Sequence, residues 1–226
     1  MGGGFEVLVQ SNFVASHTNI VIGLVETIVG LIPAGGGCKE MLGRWLNTDE
    51  AKKDPNFAPL KVFDIIGYGK TGKNFAKKLA GFNVKVLCND IIENIADDHA
   101  EQVSIDEIQS KCDIISLHTD LNKLSKHLVN TKFIDNCKKP FYLINTSRGQ
   151  CVKTSDLILG IKTGKILGAC LDVIENESKS FEFLNINSDF EYLKKSEKVV
   201  LSPHIAGWSI ESKLKLAQVV LEKIKD

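Results

Sequence analysis

A chain of 226 residues with 43% hydrophobic and 25% charged residues has the composition of an ordinary globular protein of one large or two small domains. Its 28 basic and 28 acidic residues cancel, which excludes the global basic field expected of a nucleic-acid binder or a protein held on an anionic membrane. Six cysteines without a C-x-x-C and five scattered histidines lack the usual spacing of a metal site, so no metal is expected and the thiols read as buried groups of a reducing cytoplasm.

Residues 1–46 have glycine-rich ends, few charges and two apolar stretches separated by Ser16-His17-Thr18-Asn19, the texture of a fragment. The run from Ile20 to Ala34 contains Glu26, Gly23, Gly30 and Pro33 and is shorter than a bilayer span, so it reads neither as a transmembrane helix nor, without a basic flank, as a signal peptide. Residues 47–60 are polar and carry Pro55 and Pro59, a linker composition.

From residue 61 short β-branched runs alternate with helical patterns. Strands are expected at 62–66, 84–88, 113–118, 141–146, 166–173 and 198–202, and helices near 71–81, 104–110, 131–138, 154–163 and 209–225. That alternation predicts an α/β fold with a doubly wound, Rossmann-like parallel sheet over 61–226. Ser104-Ile105-Asp106-Glu107 has the pattern of a capping box, and Gly164 stands where a helix-terminating glycine belongs.

Between the first strand and the first helix lies Gly67-Tyr68-Gly69-Lys70-Thr71-Gly72. Gly67 permits a tight turn, Gly69 lets backbone approach a pyrophosphate, and Gly72 lets the helix pack closely on the sheet, with its free N–H groups facing phosphates. Asp90 follows the next apolar run, 18 residues beyond Gly72. A carboxylate there can accept bonds from both hydroxyls of an unphosphorylated ribose, which favours NAD over NADP. Glycine triplets also occur in ordinary turns, but here strand, helix, second strand and acid fall in the required order.

Four further strands end in polar residues: Leu117-His118-Thr119, Asn145-Thr146-Ser147-Arg148-Gly149, Asp172 to Glu177, and Ser202-Pro203-His204-Ile205-Ala206-Gly207. In a parallel sheet these ends share one edge. A guanidinium such as Arg148 can grip a carboxylate bidentately. An imidazole such as His204 can give a proton to a developing alkoxide, and a carboxylate such as Glu177 can fix its tautomer.

These motifs, with Ser116-Leu117-His118 and Gly168-Ala169-Cys170-Leu171-Asp172-Val173, carry a resemblance. From about Val62 onward the chain resembles the NAD-binding domain of the D-isomer-specific 2-hydroxyacid dehydrogenases, the phosphoglycerate dehydrogenase-like family. The resemblance implies NAD-dependent oxidoreduction between a D-2-hydroxy acid and its 2-oxo acid. It places the catalytic Arg, Glu and His on Arg148, Glu177 and His204, the 29-residue step from Arg148 selecting Glu177 over Glu175. It places cofactor contacts on Gly67, Gly69, Lys70, Thr71, Gly72, Asp90, His118, Thr119, Thr146, Ser147, Asp172 and Gly207, with Asp172 near the nicotinamide amide. His118 reads equally as a cofactor contact or a packing residue.

The family's first half, with most of its substrate domain and part of its dimer interface, has no counterpart among these motifs. A truncated, cytoplasmic enzyme of a small 2-oxo acid is therefore expected, with a homodimer implied by the resemblance but lacking an interface element. An inactive NAD-binding remnant is the alternative. Residues 1 to about 70 resemble a crotonase (enoyl-CoA hydratase) fragment, through Gly2 to Glu6, Gly23 to Glu26 and Gly30 to Gly37, which makes CoA-ester hydration a third reading. One residue departs from the dehydrogenase pattern: Asp64, inside the first strand, where a small residue is usual. An unpaired carboxylate there is expected to destabilise the sheet.

Overall fold

The computed structural model describes residues 62–80, 84–175, 177, 188–207 and 210–225, all within one compact unit, Leu60–Asp226. The fragment and linker expected before residue 61 lie outside the described residues. The strands are β1 (Val62–Ile66), β2 (Lys85–Asn89), β3 (Glu101–Gln102), β4 (Ile114–Leu117), β5 (Phe141–Asn145), β6 (Ile166–Leu171) and β7 (Val199–Leu201). They form one sheet in the order β3-β2-β1-β4-β5-β6-β7. Every pairing is parallel, so all seven strands end at the same edge. The order reverses between β1 and β4, the position where a doubly wound sheet opens a crevice.

The helices are α1 (Lys70–Leu79), α2 (Ile105–Lys111), α3 (Thr131–Asn136), α4 (Thr154–Lys162), α5 (Ser188–Lys195) and α6 (Ile210–Lys225). Helix α1 buries Gly72, Ala76 and Leu79, spaced by four and three residues as one helical face requires. That face packs in a cluster with Phe63, Ile65 and Cys88 of β1 and β2. Ile108 of α2, Phe133 and Ile134 of α3, and Leu157, Ile158 and Ile161 of α4 join Leu87, Ile115, Leu117, Leu143 and Leu171 in the larger cluster. Each fully buried Leu or Ile contributes about 1.5–3 kcal/mol.

The expected strands and helices are present, with ends displaced by at most two residues. Strand β6 stops at Leu171 rather than residue 173, because the Asp172 N–H donates to Asn145 O at 3.0 Å and the chain then turns. Helix α3 stops at Asn136 rather than 138, where the Cys137 N–H returns to Ile134 O and the Lys138 N–H leaves for Gln109 O at 2.8 Å. Two elements escaped the sequence pattern, β3 and α5, since a two-residue strand has no period and α5 is eight residues of mostly polar sequence, SDFEYLKK.

Helix starts follow the capping expectation. Ser104 Oγ accepts from Glu107 N at 3.2 Å, and Asn130 Oδ1 accepts from Phe133 N at 3.1 Å, each satisfying a donor left open at a helix start. Gly164 lies at φ +76° just past α4, the left-handed conformation that terminates helices at low cost. Asp64 sits in the middle of the sheet, opposite Leu87 on one side and Ile115 on the other. It is fully buried, and neither carboxylate oxygen has a hydrogen-bond partner.

Candidate functional site

The glycine loop crosses the β1 end at the reversal point. Gly67 has φ +93°, and a Cβ there would lie 2.7 Å from the His118 carbonyl. A Cβ on Gly72 would lie 2.2 Å from Gly67 O, so helix α1 reaches the sheet only because that residue lacks a side chain. Gly69 differs from both: a Cβ on it would meet nothing within 4 Å. It caps α1 without any side-chain bond to the first turn, leaving that helix start open to an anion. Lys70 and Thr71, the first helical residues, are exposed.

Asp90 stands at the β2 end beside this loop. Its Oδ2 accepts from Tyr68 N at 2.6 Å and its Oδ1 from Ile92 N at 3.0 Å. The two bonds aim the carboxylate while leaving each oxygen a second lone pair for a hydroxyl. Tyr68, fully buried, adds a second tie by donating its hydroxyl to Asp97 Oδ1 at 2.7 Å.

His118 follows β4 across the crevice. Its Nε2 is 2.9 Å from Ser116 Oγ, its ring lies 5.0 Å from that of Phe75, and its buried Nδ1 has no protein partner. Burial lowers its pKa to about 4, so the ring is neutral at physiological pH. Thr119 Oγ1 is 3.5 Å from Cys151 Sγ. A glycine facing open space, an uncapped helix start, an aimed carboxylate and an unpartnered imidazole nitrogen together suit a dinucleotide.

The β5 end is organised by Asn145. Its Oδ1 accepts from Ser147 N at 3.1 Å and Ser147 Oγ at 2.9 Å, and its Nδ2 donates to Arg148 O at 3.1 Å. Asn145 and Ser147 are buried, Thr146 is half-buried and Arg148 is exposed, with its Nη1 donating to Ser147 O at 2.7 Å. A Cβ on Gly149 would lie 1.9 Å from Ile174 O. The turn bearing Arg148 therefore packs directly, backbone on backbone, against the turn leading to Glu177.

At the β6 and β7 ends, Glu177 Oε1 is hydrogen-bonded to His204 Nδ1. Glu177 is mostly buried, with 14% of its side chain exposed, against 42% for His204. His204 occupies the left-handed region at φ +53°, an uncommon conformation held by its surroundings. Asp172 does much of the holding: its Oδ1 accepts from Ser202 Oγ at 2.6 Å and Ile205 N at 2.9 Å, its Oδ2 from Ala206 N at 3.0 Å. The Asp172 carbonyl accepts from His204 N at 2.9 Å. Gly207 follows at the exposed end of this loop, its carbonyl accepting from Ser212 Oγ at 2.5 Å.

Glu177 and His204 are thus in direct contact, and Asp172 touches the His204 loop. Glu175 is committed elsewhere, to His127 at 2.6 Å and Thr154 N at 2.8 Å. Sequence reading passed over Asn145, Ser202 and His127. Asn145 and Ser202 lay inside quoted motifs, but His127 meets Glu175 across 48 residues, a pairing no local pattern reveals.

The open space at Gly69 gives a test of the cradle. Gly69→Ala is expected to leave the urea midpoint unchanged within about 0.5 kcal/mol and to weaken NADH binding at least tenfold, measured by fluorescence titration.

Residues 41–206 match the model of the D-isomer specific 2-hydroxyacid dehydrogenase NAD binding domain, a span that includes the expected linker. The chain is 37% identical over 169 residues to the glyoxylate reductase of Thermofilum pendens, covering 73% of this chain and 47% of that protein. It is 44% identical over 125 residues to the putative D-lactate dehydrogenase of Dictyostelium discoideum, covering 54% and 37%. Among solved structures, the NAD-complexed D-isomer specific 2-hydroxyacid dehydrogenase of Lactobacillus delbrueckii ssp. bulgaricus superposes with a TM-score of 0.66 at 30% identity, covering 72% of this chain and 51% of that one. The D-lactate dehydrogenase of Aquifex aeolicus, complexed with NAD and lactic acid, gives 0.65 at 26% identity, covering 83% and 59%.

The chain spans about half the length of the curated relatives it matches. The seven-stranded parallel sheet, the glycine cradle at its reversal point and the match over 41–206 agree: the chain belongs to the D-isomer specific 2-hydroxyacid dehydrogenase family and carries that family's NAD-binding domain.

Proposed function

We propose that this chain reduces a small 2-oxo acid to its D-2-hydroxy acid, with NADH as reductant. The observation that carries this reading is the Glu177–His204 pair, built on the same sheet edge as the glycine cradle. When bound, the cofactor supplies the hydride. The protein's part is to hold the acid, supply a proton and keep both in register.

Glu177 fixes the orientation and tautomer of the His204 ring through Nδ1, so the other ring nitrogen delivers the proton to the developing alkoxide. Arg148 receives the substrate carboxylate, its turn set by Asn145 and by the Gly149 contact with Ile174. Gly67, Gly69, Gly72, Lys70 and Thr71 hold the pyrophosphate, Asp90 the adenosine ribose, and His118, Thr119, Thr146, Ser147 and Gly207 line the remaining cofactor path. Asp172 acts by positioning the His204 loop. The names of the relatives, glyoxylate reductase and D-lactate dehydrogenase, favour a short 2-oxo acid.

The kinetic test is a split between two variants. Arg148→Ala is expected to raise KM for the 2-oxo acid more than tenfold, and His204→Ala to lower kcat by about 10²–10⁴-fold, each leaving the Kd for NADH within a few-fold. Loss of NADH affinity in both variants would instead assign them to the cofactor. Glu6 and Glu26 are given no part in the chemistry. Hydration of crotonyl-CoA that survived Arg148→Ala but not Glu26→Ala would overturn that assignment.

A further inference from the structure

A second histidine–carboxylate pair lies on the turn that carries Glu177. Glu175 is largely buried, with 22% of its side chain exposed, and uses both oxygens: Oε1 meets His127 Nε2 at 2.6 Å, and Oε2 accepts the Thr154 N–H at the start of α4 at 2.8 Å. His127 is itself fixed, at φ +52°, with its N–H donating to Gln150 O at 2.8 Å. Two residues after Glu175, the Glu177 N–H closes a turn onto Ile174 O at 3.1 Å, and Ile174 O occupies the space a side chain on Gly149 would fill. One carboxylate thus ties three segments, the loop before α3, the start of α4 and the turn presenting Glu177 to His204, and the His127 N–H joins the turn after Arg148 through Gln150 O.

We propose that His127 and Glu175 form a positioning pair for the reaction, fixing the 174–177 turn so that Glu177 meets His204 while Arg148 stays alongside. This rests on the assignment of Arg148, Glu177 and His204 made above. Neither residue is assigned a contact with substrate or cofactor; both act through Glu177. A carboxylate held at two points gives its neighbours the sub-ångström placement that proton transfer and substrate orientation need. Capping of α4 by Glu175 alone would be a structural role with no consequence for Glu177.

The test separates these. His127→Asn keeps a residue that tolerates positive φ but cannot reach Glu175, and Glu175→Ala removes the anchor. In the full chain, hydrogen exchange at the Glu177 amide is expected to quicken at least tenfold in both variants, while the Ile205 and Ala206 amides, held by Asp172, stay within twofold. For 2-oxo acid reduction, kcat is expected to fall at least tenfold with the Kd for NADH within twofold, and Glu175→Gln, which keeps an acceptor, to recover part of the loss. Unchanged exchange at Glu177, acceleration spread evenly over the sheet, or quickened exchange with unchanged kcat would each overturn the proposal. Should the parent chain reduce no 2-oxo acid, the reaction assignment falls, and with it the catalytic purpose of the pair, while the exchange measurement still decides whether the pair holds the turn.

Discussion

Replacing Asp64 with glycine is expected to raise the urea midpoint of unfolding, and by more at pH 8 than at pH 4. Asp64 is fully buried between β2 and β4 with neither oxygen bonded. Burial above all, reinforced by the Asp113 carboxylate and opposed by Lys139, pushes its pKa from 3.8 to about 8. Lys139 cannot serve as a full counter-ion, because it is already paired with Asp113 at 2.5 Å.

The sign of the pH dependence follows from the two states. Between pH 3.8 and about 8 the native protein keeps a proton on Asp64 that the unfolded chain has released. The native state binds more protons there, so stability is fullest below pH 3.8 and falls as pH rises toward 8. A shift of about 4 pH units sets a ceiling of about 6 kcal/mol, and relaxation of the site leaves a few kcal/mol. Glycine in a strand interior costs about 1 kcal/mol. The net gain expected at pH 8 is about 2–4 kcal/mol, shrinking to about zero at pH 4. Denaturant melts at the two pH values check it, and an equal or lower midpoint for Asp64→Gly at pH 8 contradicts it.

Asp172→Ala is expected to damage both stability and turnover. Its carboxylate accepts three bonds from the loop that carries His204, and bonds to a charged acceptor contribute about 1.5–3 kcal/mol each. Water can reach part of this loop after truncation, so a loss of about 2–4 kcal/mol is expected rather than the full sum. Without those anchors the loop that places His204 at φ +53° loses three of its bonds, and kcat for 2-oxo acid reduction is expected to fall at least 10²-fold. The Kd for NADH should change less than tenfold. An unaltered kcat in a folded Asp172→Ala protein would show that the loop is fixed by other contacts.

The sheet was legible in the sequence because buried parallel strands read as short apolar runs and the turns between them carry glycine, asparagine and serine at fixed places. Gly67, Gly69 and Gly72 announced three different steric roles, and the structure assigns each one a distinct space. The Glu177–His204 contact came from the resemblance and its spacing, since two residues 27 apart have no local reason to meet. The resemblance placed Asp172 near the nicotinamide amide, and its hydrogen bonds add that it builds the loop carrying His204, a role its sequence position alone did not reveal. Long-range partners such as His127 with Glu175 and Tyr68 with Asp97 are products of folding, and no periodicity encodes them. Asp64 was visible in the sequence as a charge in the wrong environment, and its unpartnered oxygens bear that out.

The central claim is that the NAD-binding sheet and the Arg148, Glu177 and His204 cluster work together in this chain as a 2-oxo acid reductase. It is tested most directly by titrating the protein with NADH, following cofactor fluorescence, and then adding a panel of short 2-oxo acids such as glyoxylate and pyruvate. The expected result is saturable NADH binding followed by oxidation of the bound NADH by at least one member, with the product of D configuration wherever it is chiral. Binding of NADH with no oxidation by any member of the panel would contradict it and leave a cofactor-binding domain without turnover.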